Sequence, residues 1–114
     1  MADDIRAQAN YIPYSPQKVR LVIDLVRGKD ITEALDMLRF VQNGAALPIS
    51  KVLASAMANA EENFGVSRDD LFVYQIYANV APSRRWRRFG ARGRFKPIIR
   101  RASHITVVLR EREF

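Results

Sequence analysis

Forty consecutive residues without a carboxylate, from Leu71 to Arg110, constrain this chain more than any other feature of its 114 residues. Leu71 to Val80 is rich in Val, Ile, Tyr and Phe and reads as a strand, as does His104 to Arg110. Between them stand Arg84, Arg85, Arg87, Arg88, Arg92, Arg94, Lys96, Arg100 and Arg101, nine of the nineteen basic residues, with Gly90 and Gly93 near the middle. Two strands flanking a glycine pair predict one long antiparallel hairpin. Measured from Leu71 to a tip near Ala91, a fully extended arm reaches roughly 60 Å at about 3.3 Å per residue, more than a domain of this size is wide. The arm must therefore project, and because an isolated two-stranded ribbon is marginal in water, it needs a partner to hold it.

The remaining sequence is enough for one modest core. Ile5, Ala7, Ala9 and Tyr11 alternate with Arg6, Gln8 and Asn10, the period of a half-buried strand. Ser15 before Pro16 predicts a helix start, with a hydroxyl N-cap and proline where no amide donor is needed. Val19, Val22, Ile23 and Val26 form its apolar stripe and Gly28 its stop. Asp30 with Glu33 three residues on resembles a capping box, opening a short helix through Ala34, Leu35 and Leu38 toward Val41, which Asn43-Gly44 breaks. Ile49, Val52, Leu53, Ala56, Met57, Ala60 and Phe64 step by three and four, predicting a third helix that ends at Gly65. Pro48 near its start predicts an irregular first turn or a late beginning. There are no repeats and no internal domain boundary: a compact body over about 1–80 and 103–114 carries an arm over about 81–102.

Charge identifies the class of partner. The formal net charge is +7, yet setting the nine arm cations aside leaves ten basic residues against twelve acidic ones. The excess is thus confined to the arm and is almost wholly arginine, whose planar fork suits phosphate oxygens and whose face stacks on bases. Such a block points to a polyanion, nucleic acid first and an anionic membrane second. Trp86, Phe89 and Phe95 interleave with the charges and offer stacking surfaces, or else pack across the hairpin and stiffen it. A second cluster, Ser15, Lys18 and Arg20, lies at a helix N-terminus, which attracts phosphate but also needs ordinary capping. Ser55 and Asn59, four apart on the third helix, permit close approach of another element or of RNA. A β-ribbon laid in a DNA groove and a membrane-active hairpin are the competing readings; the first class usually needs a dimer and a short ribbon, and the second lacks an export signal and disulfides.

Catalysis finds no support. His104 is the single histidine, and its neighbour Ser103 points to the opposite face of a strand, so the two cannot act as nucleophile and base. His104 is expected to make a structural or RNA hydrogen bond. Glu61 and Glu62 lie about 100° apart on a helix and do not converge on a metal. Without cysteine there is no disulfide or thiolate zinc site, and no phosphate-cradling glycine loop follows a strand. No cofactor is expected. The acidic opening Met1-Ala2-Asp3-Asp4 is unlike a signal peptide, and no apolar run approaches a bilayer-spanning length, so a cytoplasmic, non-membrane protein is expected.

Several segments together resemble one family. Ser15-Pro16-Gln17-Lys18-Val19-Arg20, Arg27-Gly28-Lys29, Glu33-Ala34, the helix segment Lys51 to Glu61, Ala91-Arg92-Gly93-Arg94 and Arg101 to Val108 occur in the order seen in the bacterial large-subunit ribosomal protein twenty-two family. The resemblance covers nearly the whole chain. It implies an α+β fold, three helices packed on a small antiparallel sheet with one long projecting β-hairpin. It also implies a structural, non-enzymatic protein that binds large-subunit ribosomal RNA, helps assembly, and lines the polypeptide exit tunnel with its hairpin. The implied partners are that RNA, neighbouring large-subunit proteins and the nascent polypeptide, with one copy per subunit in the cytoplasmic ribosome. By the same likeness, Arg84, Arg85, Arg87 and Arg88, with Trp86 among them, approach the tunnel constriction. Arg92, Arg94, Arg100 and Arg101 clamp RNA along the arm, while Lys18 and Arg20 contact it from the body; Lys96, within the cationic block, and His104 are expected to bind RNA as well. The chain departs from the family at Ala81-Pro82, where glycine commonly precedes the proline, at Phe89-Gly90, where proline and arginine are expected, and at Trp86, a commonly basic position.

Overall fold

The computed structural model describes residues 4–81, 84–89, 95–100 and 102–112, with the strands 84–89 and 95–100 described by their backbone. The chain runs β1 (Ile5–Ile12), α1 (Pro16–Val26), α2 (Ile31–Leu38), α3 (Ala46–Asn63), a 3₁₀ turn (Arg68–Asp70), β2 (Leu71–Val80), β3 (Arg84–Phe89), β4 (Phe95–Arg100) and β5 (Ser103–Glu111). Strands β1, β5 and β2 form one antiparallel sheet in that order, and β3 and β4 form a separate two-stranded ribbon. This is the expected α+β arrangement of three helices on a small antiparallel sheet.

All three helices serve one core. Ile5 of β1, Ile105, Val107 and Leu109 of β5, and Leu71, Val73, Ile76 and Ala78 of β2 are buried with the stripes of α1, α2 and α3. Strict alternation would turn Ile76 away from Val73. A bulge between Val73 and Gln75 absorbs one residue, so both reach the core while Tyr74 and Gln75 stay exposed. Strand β5 lies between two neighbours, and even Thr106 and Val108 on its other face are covered, in register with Gln8 and Tyr77 and with Arg6 and Gln75.

Strand β2 is an edge, and the first helix hides it. The Arg20 guanidinium donates to the Ala78 carbonyl (3.0 Å) and the Arg27 guanidinium to the Ile76 carbonyl (3.1 Å). Beyond them, Gly28 N–H donates to the Val73 carbonyl and Val73 N–H to the Lys29 carbonyl. Unpaired edge groups invite pairing with another chain; here helix side chains and the following loop cover them.

Three local expectations are corrected. Helix α3 begins early, at Ala46, and is regular through Pro48, because in the first turn the ring displaces no intrahelical donor. Asp30 does sit at the N-cap of α2 but makes no capping bond, and Glu33 completes no box; the Asp30 carboxylate instead accepts from Arg112 (2.6 Å). With guanidinium both partners of the bond are ionised, whereas a backbone amide would offer the carboxylate a neutral donor. Ser15 likewise holds the N-cap position of α1 without a side-chain cap bond. Gly28, by contrast, has φ +79°, the left-handed conformation that ends α1 as expected.

The body pairing runs on toward the arm. Ala81 N–H donates to the Ala102 carbonyl (3.1 Å), and the ribbon then pairs Arg84 with Arg100 through Phe89 with Phe95. The longest dimension of the molecule is 67 Å against 26 and 18 Å across. Its radius of gyration, 17.2 Å, exceeds the roughly 13 Å of a compact chain of this length, as a projecting arm requires. The expected tip, Gly90 to Arg94, lies outside the described residues, as does Arg101.

Candidate nucleic-acid interface

The ribbon register sets like charges side by side. Arg84 stands opposite Arg100 and Arg88 opposite Lys96, with Trp86 opposite Ile98 on the same face of the ribbon. The other face carries Arg85 opposite Ile99, Arg87 opposite Pro97, and Phe89 opposite Phe95. Directly opposed like charges destabilise an antiparallel pair by a few tenths of a kcal/mol or more each. A polyanion laid along the ribbon removes that penalty and gains from it.

The body is electrically polarised along the same axis. Strand pairing and ion pairs place Asp4, Asp24, Asp30, Glu61, Asp69, Asp70 and Glu111 toward the end opposite the arm, with Glu33 in the first turn of α2 and Glu62 beside Glu61, whereas Asp36 lies farther along α2. There, most of the nearby arginines are paired with them. Arg27 meets Asp24 (2.7 Å), Arg68 meets Glu61 (2.7 Å), Arg110 meets Asp4 (2.5 Å), and Arg112 meets Asp30. The hydrogen bond from Arg110 holds the Asp4 carboxyl below its ordinary value, and the same bond raises Arg110. That ion pair is therefore intact at neutral pH and is lost only as acid takes the pH down through the depressed Asp4 value. Arg110 and Arg112 also lie over Tyr74 and Phe72, 3.5 and 4.6 Å from the ring centroids. These cations are committed.

At the arm end the situation reverses. Lys18 and Arg20 on α1 and Lys51 on α3 are exposed and belong to none of the ion pairs found among the described residues. Arg20 spends one of its five N–H groups on Ala78, leaving donors for an outside acceptor. Of the expected site residues, the structure thus brings Lys18, Arg20 and His104 to the base of the arm. It sets Arg84, Arg85, Arg87, Arg88, Lys96 and Arg100, with Trp86, along the ribbon, while Arg92, Arg94 and Arg101 lie outside the described residues. Sequence reasoning passed over Lys51 as a site residue, although Lys51 stands one helical turn before Ser55, which it did single out.

Ser103 and His104 point apart, as strand geometry requires. Ser103 is buried and its hydroxyl donates to the Tyr14 carbonyl (2.7 Å), tying the β1–α1 loop to the first residue of β5. His104 faces the other way and solves a local problem. A bulge between Ala9 and Ile12 holds Tyr11 at φ +57°, and the Tyr11 N–H donates to His104 Nδ1 (3.1 Å). The two rings meet edge to face at 4.7 Å. With Nδ1 accepting, the neutral ring carries its proton on Nε2. Replacing His104 by alanine should cost about 1–2 kcal/mol in urea unfolding, from one hydrogen bond and one aromatic contact. Asparagine, which keeps an acceptor at the same branch point, should recover about half; an alanine variant with an unchanged midpoint would refute the pinning role.

Among the described residues, no group of three His, Asp or Glu side chains is placed to hold a metal ion, and no helix is long and apolar enough to cross a membrane. The family described as "Ribosomal protein L22p/L17e" matches residues 7–110. "Large ribosomal subunit protein uL22" of Finegoldia magna is 50% identical over 109 residues, covering 95% of this chain and 96% of the relative. The protein of the same name from Clostridium novyi is 44% identical over 109 residues, covering 96% and 98%. That from Dehalococcoides mccartyi is 48% identical over 106 residues, covering 93% and 97%.

Proposed function

The chain belongs to the ribosomal protein L22p/L17e family, structural and non-enzymatic components of the large ribosomal subunit, and from that premise we propose that it binds large-subunit ribosomal RNA and lines the polypeptide exit tunnel with its arm. The observation that carries the reading is the polarity of charge: most carboxylates of the described body gather at one end, and from the other end exposed Lys18, Arg20 and Lys51 lead to a ribbon whose register opposes like charges. Such a ribbon is best stabilised when buried in polyanion.

In this reading Arg92, Arg94, Lys96, Arg100 and Arg101 clamp phosphates along the arm. Arg84, Arg85, Arg87 and Arg88 approach the tunnel constriction, with Trp86 beside the path of the nascent chain. Lys18 and Arg20 take phosphates at the base, and His104 offers its Nε2–H there while Nδ1 holds Tyr11. Neighbouring large-subunit proteins complete the surroundings, and one copy serves each subunit.

Sedimentation of cell extract through a high-salt sucrose gradient, following this chain by mass spectrometry, tests the assignment. Travel with the large subunit through the wash is expected; a chain left at the top of the gradient defeats it. A finer test changes Arg92 and Arg94 together to alanine. Each phosphate contact contributes about 0.7–0.9 to the slope of log affinity on log salt, so the slope should flatten by about 1.4–1.8. An unchanged slope would remove those two residues from the clamp.

A further inference from the structure

Two hollows at the arm end of the body run together. One, of about 480 Å³, opens between the end of β1 and the first turns of α3, with apolar walls from Pro13, Tyr14, Pro48 and Val52 and a rim that includes Lys51 and Ser55. The second, about 780 Å³, lies between α2 and α3, shares Tyr14, Gly44, Leu47 and Lys51 with the first, and adds Arg39. Leu47, 63% exposed, stands on the ridge between them. Gly44 sits so close to the Tyr14 ring that a Cβ there would lie 2.7 Å from the tyrosine oxygen, so the missing side chain is what lets the ring lie against this loop.

We propose that this groove is a second RNA-binding site, one that takes an unstacked nucleotide from a single-stranded segment of the large-subunit ribosomal RNA. Three features select that occupant. No carboxylate lines either hollow, and the charged groups present are Lys51 and Arg39, so an anion is favoured over a basic polypeptide tail. Flat apolar walls of proline and tyrosine suit a planar ring, and the Ser55 hydroxyl and Gln8 amide at the rim can meet a base edge. The groove also adjoins the base of the arm, since Ile12 pairs with Ser103 and the Tyr14 carbonyl accepts the Ser103 hydroxyl. An RNA strand leaving the arm reaches it without crossing the acidic end. The volume is that of a pocket for a small molecule rather than for a protein element.

The inference rests on the ribosomal RNA reading and can fail separately from it. The full-length chain would be bound to large-subunit ribosomal RNA, and its affinity measured across a salt series. Both test positions are exposed, so folding should be unaffected. Lys51→Ala should lower affinity several-fold and flatten the salt slope by about one contact. Ser55→Leu, which fills the hollow without changing charge, should lower affinity several-fold at unchanged slope. Photocrosslinking with thiouridine-substituted RNA should label peptides containing Tyr14 or Lys51. If both variants bind as the parent does while the arm arginine variants bind less, the groove holds no RNA and the inference falls alone. Crosslinks from this groove to another protein in assembled subunits would overturn it in favour of a polypeptide occupant. A parent chain that binds no ribosomal RNA would bring down both readings.

Discussion

Removing the arm at its base should leave a folded body that has lost its RNA. Ala81 N–H already donates to the Ala102 carbonyl, the pairing that closes a two-residue hairpin, so an Asn-Gly turn can replace residues 82–101 between them. The buried core found among the described residues lies wholly outside the deleted segment. The body should therefore keep a cooperative urea transition close to that of the full chain. The segment carries nine cations, and losing even six phosphate contacts would flatten the salt slope by about 4–5. Affinity for large-subunit RNA at about 100 mM salt should drop by roughly a thousandfold or more, with the residue of binding supplied by Lys18, Arg20 and Lys51. A shortened chain that still bound within tenfold of the parent would show that the body, not the arm, is the principal site.

The second large effect concerns the body alone. Leu53 is fully buried on α3, the helix that packs across both β1 and β5. Leu53→Ala removes three heavy atoms from the middle of that contact and should cost about 2–5 kcal/mol, depending on how far the helix can settle into the space. Against a total stability of about 5–15 kcal/mol, that is enough to populate the unfolded chain at physiological temperature. Thermal unfolding followed by circular dichroism would measure it. Because α3 also forms one wall of the groove beside Tyr14, ribosomal RNA should restore part of the lost stability by binding the folded form. A shift below 1 kcal/mol would mean that the neighbouring side chains of α1 and β5 collapse into the gap.

The elements were legible in the sequence because each is written in the spacing of near neighbours. Val19, Val22, Ile23 and Val26 on α1, and Ile49 to Ala60 on α3, bury the stripes their periods announce. The arm was legible for another reason: nine cations without an acid cannot share one short segment of a small body. That it doubles back as a hairpin was legible too, but its register was not: continuing the Ala81–Ala102 pairing would set Arg84 opposite Ile99, whereas it stands opposite Arg100.

Tertiary structure alone decided where polar groups found their partners. Nothing in the spacing of Arg20 and Arg27 on α1 names a partner for either, yet both reach backbone carbonyls of β2, 58 and 49 residues away in sequence, and so close an exposed edge. Asp30 left its own helix for Arg112, 82 residues on, and His104 took the amide that a bulge at Tyr11 leaves without a strand partner. Burial follows from local period, because any side chain on the apolar face is covered by whatever packs there. A hydrogen bond instead requires one particular atom within about 3 Å, and only the assembled fold brings that atom into place.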